Sequence, residues 1–90
     1  MINVIYFSAP WCGPCRTFGP VMERVAKHFS ENSLVEITKV NADEDPDTAA
    51  LHGIRSIPAL VYLKDSETAY QSVGVKAQAD IIEKINELLA

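Results

Sequence analysis

The sequence predicts an α/β fold: a central four-stranded mixed sheet, built in the order βαβ, α, ββα and flanked by three helices. Three observations predict it. Residues 2–40 read strand, helix, strand, a βαβ unit whose right-handed crossover makes its two strands parallel. Residues 59–73 read as two strands joined by the polar turn Lys64-Asp65-Ser66-Glu67, which makes an antiparallel pair. A short helical segment precedes that hairpin and an amphipathic one follows it. With 90 residues and 48% hydrophobic content, one small globular domain over residues 1–90 is the default, near the lower size at which a core holds without staples.

Taken in order, Ile2 to Phe7 is apolar or β-favouring at every position but Asn3, as suits a strand covered on both faces. It is read as the central strand, and Ser8-Ala9-Pro10 ends it. Pro14 suits the first turn of a helix, where its missing N–H would be unpaired anyway, so the helix starts within Trp11-Cys12-Gly13-Pro14-Cys15. Its buried face is Phe18, Val21, Met22, Val25, Ala26 and Phe29, with Arg16, Glu23, Arg24 and Lys27 on the wet side. Pro20 removes the N–H that would bond the Arg16 carbonyl, which predicts a kink one turn past the cysteines.

Glu31-Asn32-Ser33 is a polar turn, and Leu34 to Val40 resumes a strand. Asp43-Glu44-Asp45-Pro46 supplies an acidic cap with proline just inside a short helix, and Gly53 supplies its stop. The acidic cluster is therefore read as a cap and not as a metal site. Ile54-Arg55-Ser56-Ile57-Pro58 leads into the strand Ala59 to Leu63, Thr68 to Val73 pairs back on it, and Gly74 breaks it. Ile81, Ile82, Ile85, Leu88 and Leu89 make the closing helix.

The formal net charge of −4, with both signs interspersed, provides no basic field for nucleic acid or anionic lipid. The two cysteines, Cys12 and Cys15, cannot build the framework of a secreted mini-protein, since a bridge between them restrains little of the chain. Placed after an apolar run and at a helix start, they read as a working dithiol that closes to a disulfide and reopens. A reducing compartment follows, and with no basic leader or membrane-length apolar run in view the expected location is the cytoplasm. His28 and His52 are too far apart in the sequence, and too few beside two cysteines, to suggest a closed zinc site.

With these elements in place the chain resembles the thioredoxin family over essentially all its length. The residues that carry the resemblance are Trp11-Cys12-Gly13-Pro14-Cys15, Pro20, Lys39 with Asn41 and Asp43, Pro46, Gly53-Ile54-Arg55-Ser56-Ile57-Pro58, and Val73-Gly74. The resemblance implies a cis bond before Pro58 and protein disulfide reduction. It also implies a groove in which Trp11, Gly13, Pro14, Ile57, Pro58, Val73 and Gly74 surround the dithiol and the Ile57-Pro58 loop docks an extended substrate. No bound cofactor is implied beyond the Cys12–Cys15 disulfide itself; a separate thioredoxin reductase-like donor recharges a monomer that acts on disulfide-containing proteins. Three departures accompany it. Met1 lies almost on the central strand, where the family usually has a further strand and helix ahead, so Leu34 to Val40 would be a sheet edge. Tyr6 stands where the family has a buried aspartate. Asp65-Ser66 replaces a turn that often contains Asn-Gly, which is expected to change the turn geometry alone.

Thiol–disulfide exchange needs a thiolate, an accessible sulfur and a second thiol in reach. Cys12 at the helix N-terminus is assigned as nucleophile, because unpaired N–H groups and the helix dipole favour the anion there. Cys15, one turn in, is expected to be the more buried, resolving thiol. Tyr6 is a poor base at neutral pH, with a reference pKa of about 10, so the Cys15 proton is expected to leave by water. Lys39 either tunes a thiol or points to solvent. Two other readings remain at this stage: a glutaredoxin-like reductase charged by glutathione, and a non-catalytic binding or assembly module in which the thiols are dispensable.

Overall fold

The structure, a computed structural model, describes residues 1–90. Its elements are β1 (Ile2–Ser8), α1 (Gly13–His28), β2 (Val35–Asn41), α2 (Pro46–Leu51), β3 (Ala59–Lys64), β4 (Glu67–Val73) and α3 (Gln78–Leu89). The four strands form one mixed sheet in the order β2-β1-β3-β4. β1 runs parallel to β2, from Ile2 opposite Val35 to Ser8 opposite Asn41, and antiparallel to β3, with Val4 opposite Tyr62. β3 and β4 are antiparallel.

The period of two along β1 sorts its side chains between two layers. Ile2, Val4 and Tyr6 join Leu60 and Tyr62 under α1 and α3, where Phe18, Met22, Val25, Phe29, Ile81 and Ile85 complete the larger cluster. Ile5 and Phe7 point the other way, packing with Ala59, Val61 and the Ala49 of α2. Burial on both faces is why β1 is apolar nearly throughout. β2 is an edge of this four-stranded sheet, and none of its residues is fully buried.

α1 runs through Pro20 as one helix from Gly13 to His28. α2 is capped as its sequence predicts: the Asp45 carboxylate accepts from the Thr48 N–H at 3.1 Å and from the Thr48 hydroxyl at 2.6 Å. Pro46 opens the helix, and Gly53, with φ of 68°, turns the chain out of it. The β3–β4 turn corrects an expectation. Asp65 and Ser66 have φ of 52° and 73°, the positive pair that a type I′ hairpin demands and that Asn-Gly favours. The residues have changed and the left-handed turn has not, because the strand register on either side imposes it.

Candidate active site around the dithiol

The site forms where β1 ends and α1 begins. The Cys12 N–H donates to the Ala9 carbonyl at 3.1 Å, closing a tight turn out of the strand. Cys12 is then the N-cap of α1, in extended backbone, and its Sγ accepts the Cys15 N–H at 3.3 Å. A sulfur in that place receives a first-turn N–H that no helical carbonyl can reach. Cys12 and Cys15 are joined as a disulfide, with their Cα atoms 5.3 Å apart.

The expected difference in burial between the cysteines is not found: Cys12 is 4% exposed and Cys15 5%. In the closed disulfide each sulfur helps to cover the other, and Ala9 and Ile57 pack over the pair. The two thiols are distinguished instead by position, since Cys12 caps the helix while Cys15 lies inside its first turn. Gly13 and Pro14, between them, are exposed.

The distant segments named from the sequence converge here. The Ile57–Pro58 bond is cis, Pro58 is buried and Ile57 touches the dithiol cluster. The Gly74 N–H donates to the Pro58 carbonyl at 2.8 Å, and Gly74 has φ of 91°, which a residue with a Cβ adopts poorly. That bond and the pairing of Ala59 with Val73 bring Val73-Gly74 alongside the Ile57-Pro58 loop. Val73 is 58% exposed and Trp11 67%, so the rim presents apolar side chains to solvent. An open hollow of about 540 Å³ adjoins it, walled by Trp11, Ala42, Ala49, Ile54 and Ile57, with Arg55 at its margin.

Asp43 has a role that the cap reading does not provide. Its Oδ2 accepts from Trp11 Nε1 at 2.7 Å and steadies the exposed indole, while Asp45 does the capping. The Asn41 Oδ1 accepts the N–H groups of Asp43 and Glu44 and so shapes the loop that delivers this carboxylate.

Beneath the dithiol, Tyr6 is 3% exposed and stands edge-on to Phe18, with ring centroids 5.5 Å apart. Its hydroxyl donates to the Cys15 carbonyl at 3.2 Å. Burial pushes the phenol above its ordinary value of 10.0, with the Ser8 hydroxyl partly offsetting this. Lys39 lies opposite Tyr6 in the β1–β2 register, and both line a hollow that reaches Cys15. The lysine is thus exposed and at the same time lines the hollow that reaches Cys15. His28 and His52 are outside the site, on Phe29 and Phe7 respectively. No group of three or more His, Cys, Asp or Glu side chains is arranged to hold a metal, and no helix is long and apolar enough to cross a membrane.

Comparison with known proteins agrees with this geometry. The family model described as Thioredoxin matches residues 1–87. The chain is 40% identical over 83 residues to thioredoxin of Bacillus subtilis, covering 92% of this chain and 78% of that protein. It is 36% identical over 86 residues to the chloroplastic M-type thioredoxin of Pisum sativum, of which it spans 49% while 96% of this chain is covered. Among solved structures, a mutant thioredoxin from Halobacterium salinarum superposes with a TM-score of 0.87 at 29% identity, over 99% of this chain and 75% of that one. The thioredoxin of Fasciola hepatica superposes with a TM-score of 0.85 at 32% identity, over 96% of this chain and 79% of that one.

Proposed function

The chain belongs to the thioredoxin family of thiol–disulfide oxidoreductases, and from that premise we propose that it reduces protein disulfides, with Cys12 as nucleophile and Cys15 as resolving thiol. The Cys12 thiolate attacks one sulfur of a substrate disulfide. That S–S bond breaks, one substrate sulfur leaves as thiolate, and a mixed disulfide joins Cys12 to the other. Cys15 gives its proton to water and attacks the Cys12 sulfur; the second substrate thiolate leaves and the Cys12–Cys15 bond closes. Two electrons have passed from the dithiol to the substrate. A separate reductase of the thioredoxin reductase type returns them, and no bound cofactor takes part.

The observation that carries this reading is the Cys15 N–H donating to Cys12 Sγ at the start of α1. A preplaced donor of that kind favours the thiolate when the bond opens, both on attack and on release. Trp11, Gly13, Pro14, Ile57, Pro58, Val73 and Gly74 form the substrate groove. Its apolar, exposed rim suits extended segments of many sequences, and Tyr6 and Lys39 modulate Cys15 from behind. We place the activity in one domain over residues 1–90, acting as a monomer in the cytoplasm, a reading supported by the single continuous sheet and by a cysteine pair that a reducing environment keeps at work.

The test is reduction of a disulfide-bonded protein by the chain, recharged either by a thioredoxin reductase or by glutathione. Turnover with the reductase, its loss in Cys12→Ser, and a trapped mixed disulfide in Cys15→Ser are expected. Turnover with glutathione alone, or activity that survives loss of both cysteines, refutes the proposal. Equilibration of the dithiol against a glutathione buffer fixes the direction: a potential near about −270 mV marks a reductant and one near about −120 mV an oxidant.

A further inference from the structure

The hollow behind Cys15 carries a charge arrangement that disulfide exchange alone does not account for. It is an open hollow of about 190 Å³ between β1, the first turn of α1 and the end of β2. Its charged walls are Arg16 and Lys39, and no carboxylate lines it. Neither cation is ion-paired: the salt bridges of the molecule join the amino terminus to Asp65 and Lys84 to Glu87. Glu23 shares the adjoining hollow with Lys39 but lies outside ion-pair distance of it.

Arg16 Nη2 donates to the Pro10 carbonyl at 3.4 Å, which holds the guanidinium at this mouth and leaves most of its N–H groups unspent. The Asn41 Oδ1 is occupied by the N–H groups of Asp43 and Glu44, so its amide NH₂ is what remains for the hollow. The Tyr6 hydroxyl is committed to the Cys15 carbonyl and makes a polar wall.

We infer that this hollow is a binding site for a small oxyanion of the phosphate or sulfate type, held between Arg16 and Lys39 with Asn41 behind it. A guanidinium fork and an ammonium facing one space with no counter-charge match such an ion, the first through paired N–H···O bonds and the second as a point charge. At about 30 Å³ per water, the space equals about six waters, enough for a tetrahedral anion with part of its hydration. The anion takes up the positive charge that otherwise faces Cys15. Formation of the Cys15 thiolate then loses support, and release of the mixed disulfide slows. This consequence rests on the dithiol reaction proposed above; the site itself does not.

Inorganic phosphate, and in a second series sulfate, is titrated into the oxidised full chain at constant ionic strength, and backbone amide shifts are followed by NMR. Saturable shifts confined to the neighbourhoods of Tyr6, Cys15, Arg16, Lys39 and Asn41 are expected. Lys39→Gln and Arg16→Gln should each weaken binding by about tenfold or more, the scale of one hydrogen bond to a charged group, while Lys39→Arg stays near the parent. Both side chains are exposed, so these variants keep the fold. Shifts that do not saturate, or that saturate alike in the parent and both Gln variants, overturn the site. Because the oxidised protein performs no turnover here, failure of the proposed reductase activity would leave this result standing. In the reductase assay, phosphate should slow the parent severalfold and leave Lys39→Gln indifferent; a parent equally indifferent overturns the coupling to Cys15.

Discussion

Replacing Tyr6 separates what its ring does from what its hydroxyl does. Tyr6→Ala would empty a site 3% exposed against Phe18 and cost about 3–5 kcal/mol, a large part of the stability of a small domain. Tyr6→Phe keeps the ring and removes one bond, the 3.2 Å donation to the Cys15 carbonyl, worth about 1 kcal/mol. Burial already holds the phenol above its ordinary value, so between about pH 6 and about pH 9 it stays protonated and takes no proton from Cys15. The pH–rate profile of Tyr6→Phe should therefore overlay that of the parent. Tyr6→Asp differs in kind: it places a titratable carboxyl under Cys15, and a positioned base contributes about 10²–10⁴-fold where proton transfer limits the rate. Its rate near neutral pH should rise by about tenfold or more, and its profile should gain an inflection at the carboxyl pKa. The assay is single-turnover reduction of a protein disulfide by pre-reduced protein, followed through the fluorescence of Trp11 across pH, with thermal midpoints confirming that each variant is folded. A profile altered in Tyr6→Phe, or unaltered in a folded Tyr6→Asp, would refute the proton route.

Three further outcomes follow from the same structure. Tyr62 is buried and its phenol is pushed up to about 12 by desolvation, with Tyr70 adding to it. A folded value above the unfolded one means stability that is complete below about pH 10 and lost as the pH rises through about 12. At 1.36 kcal/mol per unit the loss is about 3 kcal/mol, and urea midpoints at about pH 9.5 and about pH 11.5 should show it shrink in Tyr62→Phe. The Asp45 carboxyl is held below 3.8, first by the Thr48 hydroxyl and then by the Thr48 N–H. Its contribution is present above the unfolded value and lost as the pH falls through the folded one, so the gap in thermal midpoint between Asp45→Ala and the parent should close below about pH 4. A Cβ at Gly74 meets nothing within 4 Å, so Gly74→Ala acts through its φ of 91° alone; it should cost about 1–2 kcal/mol in urea unfolding, against little for the exposed Gly13→Ala.

The parts of the fold legible in the sequence are those with the most uniform surroundings. β1 and most of β3 are buried on both faces, so nearly every residue is apolar and the strands stand out. β2 is less sharply bounded, expected over Leu34 to Val40 and found over Val35–Asn41, because Asn41 does two things. Its backbone still pairs opposite Ser8 while its side chain starts the next turn, and only the second role is written in its residue type. The Asp65-Ser66 turn shows the converse. Asp65 tolerates positive φ but Ser66 does not favour it, yet the hairpin register sets the conformation of both, a tertiary demand that the local propensity of Ser66 does not carry.

The site divides along the same line. The dithiol and its capping helix are one contiguous string and can be read directly, and the convergence of Ile57-Pro58 with Val73-Gly74 comes with the family resemblance. Burial of Cys12 cannot be read, since it depends on Ile57 arriving from another segment. Nor does spacing separate Asp43 from Asp45: two acids in one loop turn to opposite duties, one on the Trp11 indole and one on the helix. The charge behind Cys15 is the fullest case. Tyr6, Arg16 and Lys39 are each plain in the sequence, but only the register of β1 with β2, together with the turn from β1 into α1, puts them around one hollow. Once they are there, the aromatic at position 6 has a consequence beyond catalysis. An acid in its place would be a counter-ion for Lys39; a neutral phenol committed to a carbonyl leaves two unpaired cations lining the hollow that reaches Cys15.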